Sequence, residues 1–225
     1  GCFKTALPAA AENVSFVFGS CRYLLKLFGG SFFDGRGDKT FRSINRQIEA
    51  GTATEFMLMV GDQIYADDLN VLGPDKSLDE YFSRYRSVFG QPHIGSVMGR
   101  LPTYMILDDH EITNDWTQDR KTEDADLFAA AIHSYESYQF VHGPGFTVNN
   151  QENRSDTPLK LWYSFRHGMA RVFVMDTRTE RFTGLQPRQM ISPEQLDALK
   201  IWLMEDGQAE TVKFIVSSVP VFPDT

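Results

Sequence analysis

Cysteine is scarce, with two residues, Cys2 and Cys21, in a chain of 225. That is too few for a disulfide framework, so burial must hold the fold, and the chain is long enough to build a core. Long apolar runs are missing as well. No stretch approaches the ~20 residues that a membrane-crossing helix needs. The opening GCFKTALPAAAENVSF lacks both the basic head and the long apolar body of a signal peptide. Positive charge is also short: 22 Lys and Arg face 30 Asp and Glu, for a net charge of −8 and a pI of about 5.1. Broad binding to nucleic acid or to an anionic membrane is therefore disfavoured. A protein of this sign that acts on phosphates must import positive charge locally, and metal ions supply it. Repeats, low-complexity tracts and linkers are absent too, so residues 1–225 are expected to form one domain.

What is present is an alternation of short apolar runs and helical patterns. Residues 14–18, 56–60 and 102–107 read as strands, the second of them apolar throughout and so buried on both faces. Residues 161–165 and 170–175 read as a hairpin pair across Arg166 to Met169, and 214–219 as a last strand. Helices are expected over 39–49, 77–88, 125–141 and 192–204. Ser77 with Glu80 three residues on forms a capping signature, and Ser192 followed by Pro193 is a second start signal. His133 and His142 fall on the third helical pattern, where packed or solvated side chains are the expected role. The pattern is that of an α/β domain. Such a domain rarely stops just after a central strand, which predicts that the fold continues beyond Thr225.

Four of these strands end in a short polar cluster: Ser20-Cys21, Asp62 with Tyr65, Asp108-Asp109-His110, and Asp176 with Arg178. Open α/β sheets bind ligands beyond the C-terminal ends of their strands, so neighbouring strands would bring the clusters to one rim. A turn explains one such cluster and accounts poorly for four. Converged, the set has the chemistry of a two-cation hydrolytic site, with Asp62 bridging ions roughly 3.5–4 Å apart. Cys21 and Tyr65, as thiolate and phenolate, suit a hard redox-capable ion such as ferric iron. Asp109, with Asn114 nearby, suits a second, oxygen-preferring ion. His110 is placed to protonate a leaving alkoxide with Glu111 orienting its ring, and Arg178 to hold a phosphate oxygen. Each has a plainer alternative: Cys21 as a small buried hydrophobe, Asp108 as a helix cap, Asp176 and Arg178 as a pair with no further role.

The same residues carry a family resemblance. Gly61-Asp62-Gln63-Ile64-Tyr65 resembles the GDxxY motif of metallophosphoesterases with a tyrosinate-ligated iron. Asp108-Asp109-His110-Glu111, with Asn114 close behind, is similar to the DDHE variant of the alkaline phosphatase D-type (PhoD-like) phosphatases, where relatives have GNHE. Gly19-Ser20-Cys21 resembles that family's first-strand motif, and Met175 to Arg178 its later MDTR segment. The resemblance implies a four-layer αββα sandwich, phosphomonoester or phosphodiester substrates, and iron paired with calcium or another divalent metal. It implies Cys21, Asp62, Tyr65, Asp109 and Asn114 as metal ligands and His110 as the acid, and favours an exported enzyme. One departure is visible: the family's further histidine motif of the GDxH or GHxH type, beyond the last strand, does not occur among His93, His110, His133, His142 and His167.

Three classes follow. The first is a metal-dependent phosphatase or phosphodiesterase. The second is a catalytically inactive, metal-binding descendant acting as an interaction domain. The third, a serine hydrolase, is disfavoured because Ser20 sits in Gly-Ser-Cys and no G-x-S-x-G elbow is present.

Overall fold

A computed structural model describes residues 13–24, 26–27, 32–33, 36–67, 74–144, 160–205 and 211–220. Cys2 and Asp68 lie outside these residues. The described strands form two three-stranded sheets and a small ribbon. The first sheet contains β1 (Phe16–Gly19), β4 (Phe56–Val60) and β5 (Thr103–Ile106), in the order β1-β4-β5, all parallel. The ribbon pairs β2 (Lys26–Leu27) with β3 (Phe32–Phe33). The second sheet contains β6 (Tyr163–His167), β7 (Ala170–Val174) and β8 (Val212–Val216), with β6 antiparallel and β8 parallel to the central β7.

The apolar runs predict these strands because alternate side chains enter different cores. Along β4, Phe56 and Leu58 join one cluster while Met57 and Met59 join another. All four are 3% exposed or less, which is the two-sided burial expected of a strand apolar at every position. Met57 and Met59 face α1 (Arg36–Glu49) and α3 (Pro92–Met98) through Phe41, Ile44, Ile94 and Val97. Phe56 and Leu58 look the other way, into a cluster that also takes Tyr163, Val172 and Val174 from the second sheet. Aromatic rings fill the gap between sheets: Tyr104 stacks on Phe165 at 3.7 Å, and Phe56 meets Phe165 edge-on at 5.5 Å. On the far side of the second sheet, Phe173 packs with Leu199 and Trp202 of α5 (Pro193–Met204).

Two helices close the core beside the sheets. Helix α2 (Leu78–Phe89) begins with the reciprocal capping box: Glu80 N donates to Ser77 Oγ, and Glu80 Oε2 accepts from Ser77 N. Helix α4 (Ala125–Tyr138) runs into a 3-10 turn at Phe140–His142 rather than continuing to Val141. Tyr85 of α2 and Tyr138 of α4 stack at 4.9 Å, which locks the pair. His133 lies against Phe82 at 5.9 Å, a packing role as expected.

Several boundaries move. The hairpin between β6 and β7 is tighter than the sequence suggests, because Gly168 takes φ +57° and lets the chain turn over Gly168 and Met169 alone. The last strand starts and ends earlier, at Val212–Val216 instead of 214–219. Helix α3 is unexpected from the sequence. Its seven residues include Gly95 and no polar cap, but Asp38 accepts from His93 N and Ile94 N and so caps its first turn from α1.

Candidate functional site

The loops after β1, β4 and β5 meet because the strands are parallel neighbours in register, Gly19 opposite Met59 and Met59 opposite Met105. Two backbone hydrogen bonds carry the ladder on past the strand ends: Cys21 N donates to Gly61 O, and Arg22 N to Asp62 O. Cys21 and Asp62 both adopt left-handed backbone, with φ +57° and +55°. Non-glycine residues in this region carry strain that local contacts must offset. Gly61, at φ +81°, leaves room that any side chain would remove: a Cβ there would lie 2.5 Å from Asp108 Cβ.

Glu111 binds the two carboxylate-bearing corners together. It is fully buried and accepts from Asp62 N at 2.9 Å, Gln63 N at 2.6 Å, Asp108 N at 2.8 Å and Gln139 Nε2 at 3.0 Å. Burial, reinforced by the charge of Asp62, pushes its carboxyl up to about 8, and the hydrogen bonds from Gln139, Asp108 N and Gln63 N pull the other way. The expectation that Glu111 orients the His110 ring is therefore not met, since its oxygens are committed to the backbone beneath. Asp67 has that role: its two oxygens lie 2.7 and 2.9 Å from His110 Nδ1. Two acceptor atoms at Nδ1 assign the proton to that nitrogen and leave Nε2 for other work. The contact raises His110 to about 9. Asp67 also accepts from Asn114 N at 2.6 Å.

Around this scaffold the expected donors converge. Asp62 Oδ2 accepts from Cys21 Sγ and from Tyr65 Oη, each at 3.4 Å. The Tyr65 ring lies 4.4 Å from that of His110. One donor atom each from Asp62, Asp109 and His110 fall within 4.8 Å of one another. Among the described residues, Asp62 Oδ1 is buried and has no hydrogen-bond partner. Burial and the neighbouring Asp108 raise the Asp62 carboxyl. Burial and the Asp62 charge push Tyr65 far up, and partial burial pushes Cys21 up. An orphaned carboxylate oxygen among donors that resist ionisation together is the environment a bound cation corrects. The residues present fit such an ion.

The remaining candidates divide. Arg178 Nε donates to Asp108 Oδ1, and Arg178 Nη2 lies 3.3 Å from Asp109. Its guanidinium is thus the site's positive charge from the second sheet. Ser218 Oγ also donates to Asp108, at 3.0 Å, a residue no sequence motif marked. Asp176 is not part of the cluster: fully enclosed, it accepts from Arg178 N and Thr179 N and shapes the turn that presents Arg178. The alternative in which the Asp176 carboxylate pairs with the Arg178 side chain is replaced by this backbone contact. Asn114 is exposed beside the site, its Nδ2 donating to Asp115 at 3.0 Å, while Asp115 N donates to Asp109.

Comparison with known proteins agrees in one direction. No curated protein matches the chain. Among solved structures it is similar to one titled "Structure of PhoD", with a TM-score of 0.67 and 18% identity over 95% of this chain and 43% of that chain. The chain thus spans less than half the length of that structure. The family described as PhoD-like phosphatase matches residues 25–221, a span that holds Asp62, Tyr65, Asp109, His110, Asn114 and Arg178 and starts just after Cys21. With most of its length matched, the chain belongs to the PhoD-like phosphatase family.

Proposed function

We propose that the chain is a phosphoric ester hydrolase of the alkaline phosphatase D type, acting on phosphate mono- or diesters at a two-metal site. The observation that carries this reading is Asp62: its Oδ1 is buried without a hydrogen-bond partner among the described residues, its Oδ2 accepts from Cys21 and Tyr65, and its carboxylate groups with Asp109 and His110. In this reading Asp62 would hold both ions, Cys21 and Tyr65 would serve an iron(III), and Asp109 with Asn114 would serve calcium or another divalent ion. Bound there, such a pair supplies Lewis acidity: it lowers the pKa of a water and neutralises phosphoryl charge.

The chain's own groups do the rest. His110, held by Asp67 with Nδ1 protonated, presents Nε2 as the acid for the departing alkoxide. Arg178, kept in place by Asp108 and Asp109, offers its remaining N–H donors to a phosphoryl oxygen. Glu111 touches no substrate and holds the Asp62 and Asp108 corners at a fixed spacing. The helix, sheet, sheet and helix packing described above supports reading the fold as the four-layer αββα sandwich of this family. No helix among the described residues is long and apolar enough to cross a membrane, and an exported location is favoured by the family resemblance alone.

The test is metal analysis of the purified protein together with turnover of 4-nitrophenyl phosphate and bis(4-nitrophenyl) phosphate. Bound iron with turnover of either ester is expected. A protein that binds no metal and turns over neither ester refutes the reading. Metal-dependent melting without turnover identifies instead the inactive metal-binding descendant.

A further inference from the structure

Two segments leave the site side by side and are clipped together outside it. The first, residues 114–119, starts at Asn114 and Asp115, whose backbone N–H groups donate to Asp67 and Asp109. The second starts at Arg178 and closes a small hairpin through the Phe182 and Gln189 bridge. Gln118 N donates to Arg181 O at 2.8 Å. Asp119 then accepts from Thr183 N at 2.7 Å, Thr183 Oγ1 at 3.0 Å and Gly184 N at 3.3 Å on one oxygen. These bonds hold the Asp119 carboxyl below its ordinary range although the side chain is in solvent. From the other side Glu180 fixes the hairpin base, accepting from Trp162 Nε1 at 3.1 Å and Ser192 N at 2.9 Å.

A surface carboxylate that makes three bonds to one loop orders that loop at the cost of chain entropy. The ordered hairpin holds Leu185 46% exposed and Met190 44% exposed, seven and twelve residues beyond Arg178. Neither side chain contributes to the core. We propose that the 182–189 hairpin with Met190 is the wall that receives the leaving group of the ester, selecting for apolar groups that extend past the phosphoryl centre. Asp119 is the positioning residue that sets this wall, acting through Thr183 and Gly184. This assignment rests on the phosphoesterase reading above and adds leaving-group preference to it.

The experiment compares phenyl phosphate with 1-naphthyl phosphate, whose leaving groups differ in size more than in acidity. In the metal-loaded protein, Asp119→Ala is expected to raise KM for the naphthyl ester about fivefold, the loss of roughly one hydrogen-bond equivalent of positioning. KM for the phenyl ester and kcat for both should stay within about twofold. Asp119→Asn, which keeps an acceptor for Thr183, should restore part of the naphthyl KM. An equal change for both esters, or a loss confined to kcat, overturns the proposal, as does no change at all. Amide exchange supplies a second readout that needs no turnover. Added 1-naphthylmethylphosphonate should slow exchange at Thr183 and Gly184 in the unaltered protein, and methylphosphonate should not. Exchange unaltered by the naphthyl compound overturns the wall assignment. A protein that shows this protection but no turnover of either ester instead refutes the catalytic reading alone.

Discussion

The two sheets contribute unequally to the site, and the difference follows from strand direction. In the first sheet three parallel strands end at one level, so their loops deliver Cys21, Asp62, Tyr65, Asp109 and His110 to one place. The second sheet is mixed, and from it come Arg178 and Ser218, both directed at Asp108. The first sheet thus concentrates negative charge and candidate metal-binding donors, while the second brings a guanidinium that offsets part of the charge. Parallel pairing gathers a donor set; the opposing sheet balances it.

The sharpest way to break that division is Asp62→Ala. It should remove bound metal and lower turnover by more than about 100-fold, since even residues behind metal ligands cost 10–100-fold when altered. Metal analysis and steady-state kinetics check it. Glu111→Gln attacks what holds the first sheet's corners together. A glutamine presents one oxygen and an amide to donors arranged for two oxygens, so at least one buried N–H loses its acceptor. Stability should fall by about 1–3 kcal/mol, read from urea unfolding.

Arg178→Lys tests the second sheet's share. Lysine keeps the charge and loses the planar fork, so KM should rise about tenfold with metal content unchanged. Titration of substrate at saturating metal distinguishes this from ligand loss. The mildest test is Asp67→Asn. His110 must be protonated to act as an acid, and in the folded chain it stays so up to about 9. Activity should therefore fall as pH rises through about 9. Without the Asp67 carboxylate, the midpoint should move down towards the ordinary histidine value near 6.5. A kcat/KM profile from pH 5 to 10 reads the shift.

Much of this was legible in the sequence where one chain segment decides the outcome. The apolar run 56–60 fixed β4 because its first four positions are buried and Val60 partly so, and Ser77 with Glu80 marked the start of α2 because both halves of the cap are local. Asp62, Tyr65, Asp109 and His110 could be singled out because each lies in the short loop that follows a strand. What could not be read were partnerships across distant segments. Glu111 adjoins His110 in the chain, yet it turns beneath the loop to the Asp62 and Gln63 amides, and Asp67 reaches His110 from 43 residues away. The only available signal was that Asp67 belongs to the same acidic loop as Asp62. Helix α3 was missed for a similar reason, its cap being supplied from Asp38. The sequence marked Arg178 for a phosphate oxygen and offered its pairing with Asp176 as the plainer alternative; only the folded turn shows Asp176 shaping the backbone and Arg178 meeting the acids.

Gly61 carries a last consequence. Because a Cβ on Gly61 would lie 2.5 Å from Asp108 Cβ and 3.0 Å from Asp108 N, the gap between the Asp62 and Asp108 corners is set by the Gly61 main chain against the backbone and Cβ of Asp108. Flexible side-chain padding plays no part there, so the interval between the charges is as stiff as the sheet itself. Substituting this glycine would retune the interval while leaving every ligand in the chain.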